Sequence, residues 1–432
     1  MSKQSLLNRW SIVLIVFLNL TTQIHSNEDE YRCPESPLTI HPCKCTKVTN
    51  IGTTIECLNT NLASLSVALA NIADQKVPID ALHIKRSNFD ILFGTVFLKL
   101  NVHKILLRST PIENIDEYVF NGANETLTEL ELMNTSLNTF PISFKTLGKL
   151  ISLKLDKHQI KTLDSMAFDG PISQTLERLY ISNGNLTEVS VEFLQSLRKL
   201  KTLDLHGNQI KELKRNQFKN LRDLESLDIS YNEITKLDSS HIADLTKLSF
   251  CNISYNAITE IARGTFARNS VLRLLNMSGN KIKRLDANSF RGMRFLRRLY
   301  LSENLISDVG RGTFSAITRI GTIDLARNLL KKVDYQMFAS LNYIEIIDLA
   351  ENQIVEIQKQ SFKDLYLTHI NISHNHIAKF ESQSFENCVN MTTLDLSHNF
   401  IEMFAKRTFD ELSYATELLL SFNKLRNFSA VK

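Results

Sequence analysis

Cysteine and histidine are the residues of this chain whose types and spacing could do chemistry. Four of the six cysteines, Cys33, Cys43, Cys45 and Cys57, cluster near the N-terminus as CP-x8-CxC-x11-C. Four thiolates can hold a zinc ion, whereas an oxidising compartment favours two disulfides, for which three connectivities exist. His374, His376 and His398 fall together near the other end, where they could share a metal or form a protonation switch. The Ser-His-Asn wording around His374 and His398 belongs to a recurring pattern, so no metal site is assigned. Catalytic motifs are missing: there is no Gly-x-Ser-x-Gly elbow, no phosphate-binding glycine loop and no His-Glu-x-x-His. An enzyme is not expected, nor a cofactor.

The elements that must position these side chains follow from one spacing. In LKTLDLHGNQI, Leu200, Leu203 and Leu205 stand eight, five and three residues before Asn208, and Ile210 stands two after it. The same arrangement surrounds Asn232, Asn256, Asn280, Asn304, Asn328, Asn352, Asn375, Asn399 and Asn423, at steps of 24 residues with one step of 23. A Phe follows ten residues after most anchors, as at Phe218, Phe266, Phe290, Phe314, Phe338, Phe362, Phe385 and Phe409. This is a leucine-rich repeat. Period-two alternation puts the leucines inward on a short parallel strand. The Asn ends the strand and can satisfy turn backbone that would otherwise be unpaired. One coil cannot bury its own core, so the coils must stack. The expected fold is an α/β-type leucine-rich repeat solenoid: a curved parallel sheet on the concave face, with turns and short 3-10 segments on the convex face.

Residues 1–26 read as a signal peptide, with Lys3 and Arg9 before an apolar run from Ile12 to Leu20 that is too short to span a bilayer. Residues 27–78 form the cysteine cap and the lead-in to the array, and 79–432 the solenoid of about fifteen coils. Five early coils are degraded, with Ser87, Thr110, Thr135, His158 and Gly184 at the anchor, while Phe97, Phe120 and Phe168 keep the aromatic ridge. A hydroxyl can do part of the work of Asn; Gly184 cannot, so water or neighbouring backbone must serve there. Cys251 and Cys388 occupy apolar slots about five coils apart, roughly 24 Å at about 4.8 Å per strand, too far for a disulfide. The last coil is incomplete, and the expectation is a fragment of a longer chain.

Residues two, four and six before each anchor should line the concave face. Arg178 with Tyr180, and Arg298 with Tyr300, set side by side the residue types that dominate interface hot spots. Asp324 and Asp348, like Asp204 and Asp228, stack in the column four before the anchor, where they could attract a basic partner or calcium, although Asp is common at this slot of the repeat. Eight N-x-S/T sequons follow the signal, at Asn124, Asn134, Asn185, Asn252, Asn276, Asn371, Asn390 and Asn427. Glycans on Asn252, Asn276 and Asn371 would cover part of the concave face and shift binding to the coils of Asn304 to Asn352, to the N-terminal coils or to the flanks. A basic cluster, Lys281, Lys283, Arg284, Arg291, Arg294, Arg297 and Arg298, could meet a glycosaminoglycan. The formal charge of +4 is too small to argue for nucleic acid.

From Cys33 onward the chain resembles extracellular leucine-rich repeat proteins with an N-terminal cysteine flank. The wording CPESPLTIHPCKC followed by TTIEC looks like arthropod matrix and cell-surface members such as chaoptin and artichoke. A weaker likeness is to the non-catalytic repeat subunit of a secreted crustacean luciferase. The resemblance implies pairing of Cys33 with Cys45 and of Cys43 with Cys57. It also implies a secreted or surface-tethered protein that binds an extracellular protein ligand or a cell-surface receptor, in adhesion, matrix organisation or ligand recognition. The alternatives it leaves are the ectodomain of a Toll-like or similar receptor, and a non-catalytic subunit of a secreted enzyme.

Overall fold

The computed structural model describes residues 32–426 apart from 35, 164, 336, 382, 389, 405–407, 410–411 and 413, and apart from the side chain of residue 380. The signal segment and Asn427 lie outside the described residues. Cys43–Val48 and Thr53–Leu58 form an antiparallel ribbon, held by disulfides between Cys33 and Cys45 and between Cys43 and Cys57. The second of these strands pairs in parallel with Ile79–Lys85. Parallel strands then follow coil by coil to Glu417–Leu419, giving a 17-stranded sheet in all. The cap thus covers the open edge and apolar end that the first coil would otherwise expose.

Between the ribbon and the array lies a helix that the repeat spacing did not announce, Leu62–Asp74. Asn61 caps it by accepting the Ser64 N–H at 2.8 Å, and Leu65, Ala68, Leu69 and Ile72 face the core at helical spacing. Helical pieces in the array itself are short, such as Val191–Gln195 and the 3-10 turns Ile142–Thr146 and Pro171–Gln174.

Each regular coil is built around its Asn. Asn328 is buried; its Nδ2 donates to the carbonyls of Leu301, Leu325 and Ala326 at 3.0, 3.0 and 3.1 Å, and its Oδ1 accepts the Ile306 N–H at 3.0 Å. The anchor therefore serves the backbone of the preceding coil as well as its own. This explains how Gly184 is tolerated: Asn208, one coil later, accepts from Leu186 N–H at 3.2 Å and donates to Ile181 carbonyl at 2.8 Å. The space a side chain on Gly184 would need is filled by the His158 imidazole. His158 in turn accepts the Ile160 N–H at Nδ1, at 3.2 Å. Thr110 and Ser87 do part of an anchor's work through weak bonds of 3.3 to 3.4 Å, whereas the buried Thr135 hydroxyl has no partner among the described residues.

The phenylalanines stack on the far side of the core. Phe290, Phe314, Phe338, Phe362 and Phe385 form a ladder with ring centroids 5.4 to 5.9 Å apart and planes within 13°. Phe144 and Phe193, not counted in the sequence pattern, also join the buried ridge, whereas Ile242 fills the slot between Phe218 and Phe266. Cys251 is buried, which pushes its thiol up to about 12. Cys388 is buried too and donates its S–H to the Phe362 carbonyl at 2.8 Å.

Candidate functional site

The concave face is narrower than the alternation suggests. Residues two before the anchors Asn232 to Asn375, among them Ser230, Ser254, Ser302, Ala326 and Ala350, are buried rather than exposed. In each of these coils but that of Ser302, the residue two earlier makes a side-chain turn. Oδ1 of Asp204, Asp228, Asn252, Asn276, Asp324, Asp348, Asn371 and Asp395 accepts the backbone N–H two residues on, at 2.9 to 3.2 Å. This side-chain turn accompanies the early end of the strand. Early coils carry His83, Leu106, Glu131, Lys154 or Tyr180 there, and their strands run five to seven residues instead of three. The coil of Asn304, with Tyr300 in that slot, keeps the short strand between neighbours that have the turn.

This geometry re-sorts the candidate contacts. Asp324 and Asp348 each use one oxygen to close a turn, and the Asp348 carboxylate is also hydrogen-bonded by the Asn371 side chain; burial, with Asp324 alongside, pushes the Asp348 carboxyl up. The described residues contain no cluster of three or more metal-ligating side chains. Arg178 reaches back to Glu129 at 3.1 Å, in a network where Lys104 bridges Glu129 and Glu131 at 3.3 and 2.6 Å. His374 and His398 stack face to face, centroids 4.0 Å apart, and His376 leans on Phe400 instead of joining them. Of the sequon residues, Asn134 is exposed, while Asn252 ties its Nδ2 to Asp228 at 2.9 Å.

Arg298 and Tyr300 are placed differently. They line an open hollow of about 720 Å³ together with Arg297, Gly321, Thr322, Tyr343, Glu345, Ile346 and Tyr366. Its floor is low because Gly321, without a side chain, stands just before the next strand, Thr322–Asp324, whose Thr322 is in register with Arg298 on one side and Ile346 on the other. Arg297 is propped by donating from Nη1 to the Arg319 carbonyl at 3.1 Å, and the Arg319 guanidinium sits over the Phe295 ring at 5.2 Å. Tyr343, Tyr366 and Ile346 remain 63%, 60% and 39% exposed, an unusual amount of apolar surface to leave in one place. The hollow thus brings together guanidinium groups, a carboxylate and three tyrosines. It falls within coils anchored from Asn304 to Asn375. Reading only the strand positions missed Tyr343 and Tyr366; both stand nine residues before an anchor, so that column would have found them.

A leucine rich repeat family profile matches residues 174–234, 198–258, 252–306, 294–354, 318–377 and 365–425, together more than half of the chain. Keratocan of Danio rerio is 26% identical over 255 residues, covering 49% of this chain and 71% of keratocan. Among solved structures, a chain of the Drosophila Toll–Spatzle complex superposes with a TM-score of 0.66 at 18% identity, over 88% of this chain and 54% of that one. A leucine-rich repeat protein of Leptospira interrogans gives 0.59 at 18% identity, over 90% and 96%. A plant peptide hormone receptor in complex with RGF2 gives 0.57 at 17% identity, over 85% of this chain and 61% of the receptor chain. The likeness to arthropod cell-surface members in particular is not shown by these matches. With the anchor network, the stacked coils and a family match over most of the array, the chain belongs to the leucine-rich repeat family.

Proposed function

We propose that the chain is a non-enzymatic extracellular module that recognises a protein ligand through the hollow between Arg298 and Tyr366. The observation that carries this reading is the convergence of Arg298, Tyr300, Tyr343 and Tyr366 on one open, partly apolar depression. Arginine and tyrosine can bury large areas against a partner while keeping polar groups satisfied at the rim. The two disulfides and the similarity to keratocan support an extracellular setting. Among the described residues no helix is long and apolar enough to cross a membrane. Whether the module acts in adhesion, matrix organisation or as part of a receptor turns on its partner. An anionic glycan is a second partner class, favoured by the arginine-rich stretch beside the hollow.

Gly321 supplies the test. A Cβ there would meet only the Arg297 carbonyl oxygen, at 3.6 Å, an ordinary contact. Gly321→Tyr should therefore fill the hollow without disturbing the fold. Proteins cross-linked to the native chain at the surface of its source cells would be identified, and their binding compared with this variant by surface plasmon resonance. Loss of about tenfold or more, with an unchanged unfolding temperature, is the expected result; equal binding by the filled variant would move the contact surface elsewhere.

A further inference from the structure

Between Ile261 and Ser302 the chain carries eight arginines and two lysines against a single acid, Asp286. All ten cations are exposed, and no ion pair to any of them is seen among the described residues. Cations elsewhere in the array are commonly neutralised, as Arg327 is between Glu303 and Glu351 at 3.0 and 3.3 Å. Asp286 is itself occupied, its Oδ1 accepting the Asn288 N–H at 2.8 Å.

The fold arranges these charges along a path. On the convex side Arg263, Arg291 and Arg294 surround a hollow of about 650 Å³ whose floor is Gly264, Ala267, Gly292 and Ala316. Gly292 has a φ of +102°, and a Cβ there would lie 2.7 Å from the Ala267 Cα, so only glycine lets the two coils close beneath the arginines. Arg294 to Arg298 then carries the chain round the flank. Arg297 and Arg273 occupy the same column in adjoining coils, the Arg297 N–H donating to the Arg273 carbonyl at 2.8 Å. Arg297 and Arg298 end the path in the concave hollow.

We infer that this belt binds a linear sulfated glycan, seated by one anionic group in the convex hollow and running round the flank. The inference rests on the extracellular reading proposed above. Guanidinium forks match the paired oxygens of sulfate and carboxylate, and eight of the ten cations are arginine. The track is narrow and turns a corner, which suits a flexible chain and not a flat membrane. Phe295 is an exposed ring on the belt with the Arg319 guanidinium over it, and Phe266 and Phe290 are buried, so the belt does not offer the row of open rings on which single-stranded nucleic acid stacks.

The test compares Arg263→Ser/Arg291→Ser/Arg294→Ser with Lys199→Ser/Arg215→Ser/Lys219→Ser, which removes the same charge from exposed sites off the belt. Each full-length protein is titrated with a heparin dodecasaccharide, with its desulfated counterpart, with a single-stranded oligonucleotide of equal charge and with phosphatidylserine vesicles. The belt variant should lose at least roughly tenfold in heparin affinity at physiological salt with a shallower salt dependence. The off-belt variant should stay near the native value, and the other three probes should bind the native protein more weakly than heparin. Equal losses in both variants, an unchanged belt variant, or equal binding of the oligonucleotide or vesicles would overturn the inference. Gly321→Tyr leaves the convex hollow intact, so it separates this result from the protein-ligand reading: heparin binding should survive where partner binding is lost.

Discussion

At the residue scale, the buried Asn carries the greatest local constraint. Asn328→Leu strands the N–H of Ile306 and weakens the bonding of three carbonyls. Urea unfolding should show a loss of about 3 kcal/mol or more. Asn328→Asp should cost still more, because an oxygen would then face the three carbonyls. His158 gives a pH signature. Burial pushes its pKa down to about 4, with Asp156 opposing, and the Ile160 N–H already occupies Nδ1. Between about 6.5, the value in the unfolded chain, and about 4, the unfolded chain holds a proton that the folded chain does not. Stability should thus fall as pH drops through that window, by up to about 3 kcal/mol, and His158→Asn should flatten that part of the profile. His206 has the opposite sign: its hydrogen bond to Asp204, 2.6 Å away, raises its pKa, so its contribution is complete below the unfolded value and is lost as pH rises through the folded one. The Asn at each anchor was legible in sequence because one side chain must do the same job in every coil. The Asp204–His206 bond was not, because nothing in the repeat spacing marks it.

At the element scale, the ridge and the strands behave differently. Phe314 is buried in the middle of an aromatic stack, and Phe314→Ala should cost about 3–5 kcal/mol in a thermal or urea unfolding series. The strand surface is more permissive. Arg298 is exposed and Tyr300 half-buried, so Arg298→Ala with Tyr300→Ala should leave the unfolding temperature nearly unchanged while weakening partner binding. Unaltered binding would remove both as contacts. The same logic separates the two Arg–Tyr pairs: Arg178 is held by Glu129, so Arg178→Ala should affect the partner far less than Arg298→Ala. Sequence alone ranked the pairs equally because the ion pair joins residues two coils apart, through side chains long enough to cross one strand.

At the scale of the whole molecule, stability is a sum of coils and the interfaces between them. The cap, with its two disulfides and the helix Leu62–Asp74, closes the first interface. Glycan mapping of the native protein should find Asn134, which is exposed, occupied before Asn252, whose amide is tied to Asp228 within the sheet. The sequence by itself determined the solenoid, its period, its parallel sheet and the inward faces, because each is a local requirement repeated at a fixed step. Only the tertiary structure decided that the residues two before the anchors Asn232 to Asn375 are buried, that Asn208 supports the coil of Gly184, and that Arg298, Tyr343 and Tyr366 share a hollow. Those outcomes depend on which side chains of neighbouring coils meet once the sheet is stacked, and a spacing within one coil does not contain that information.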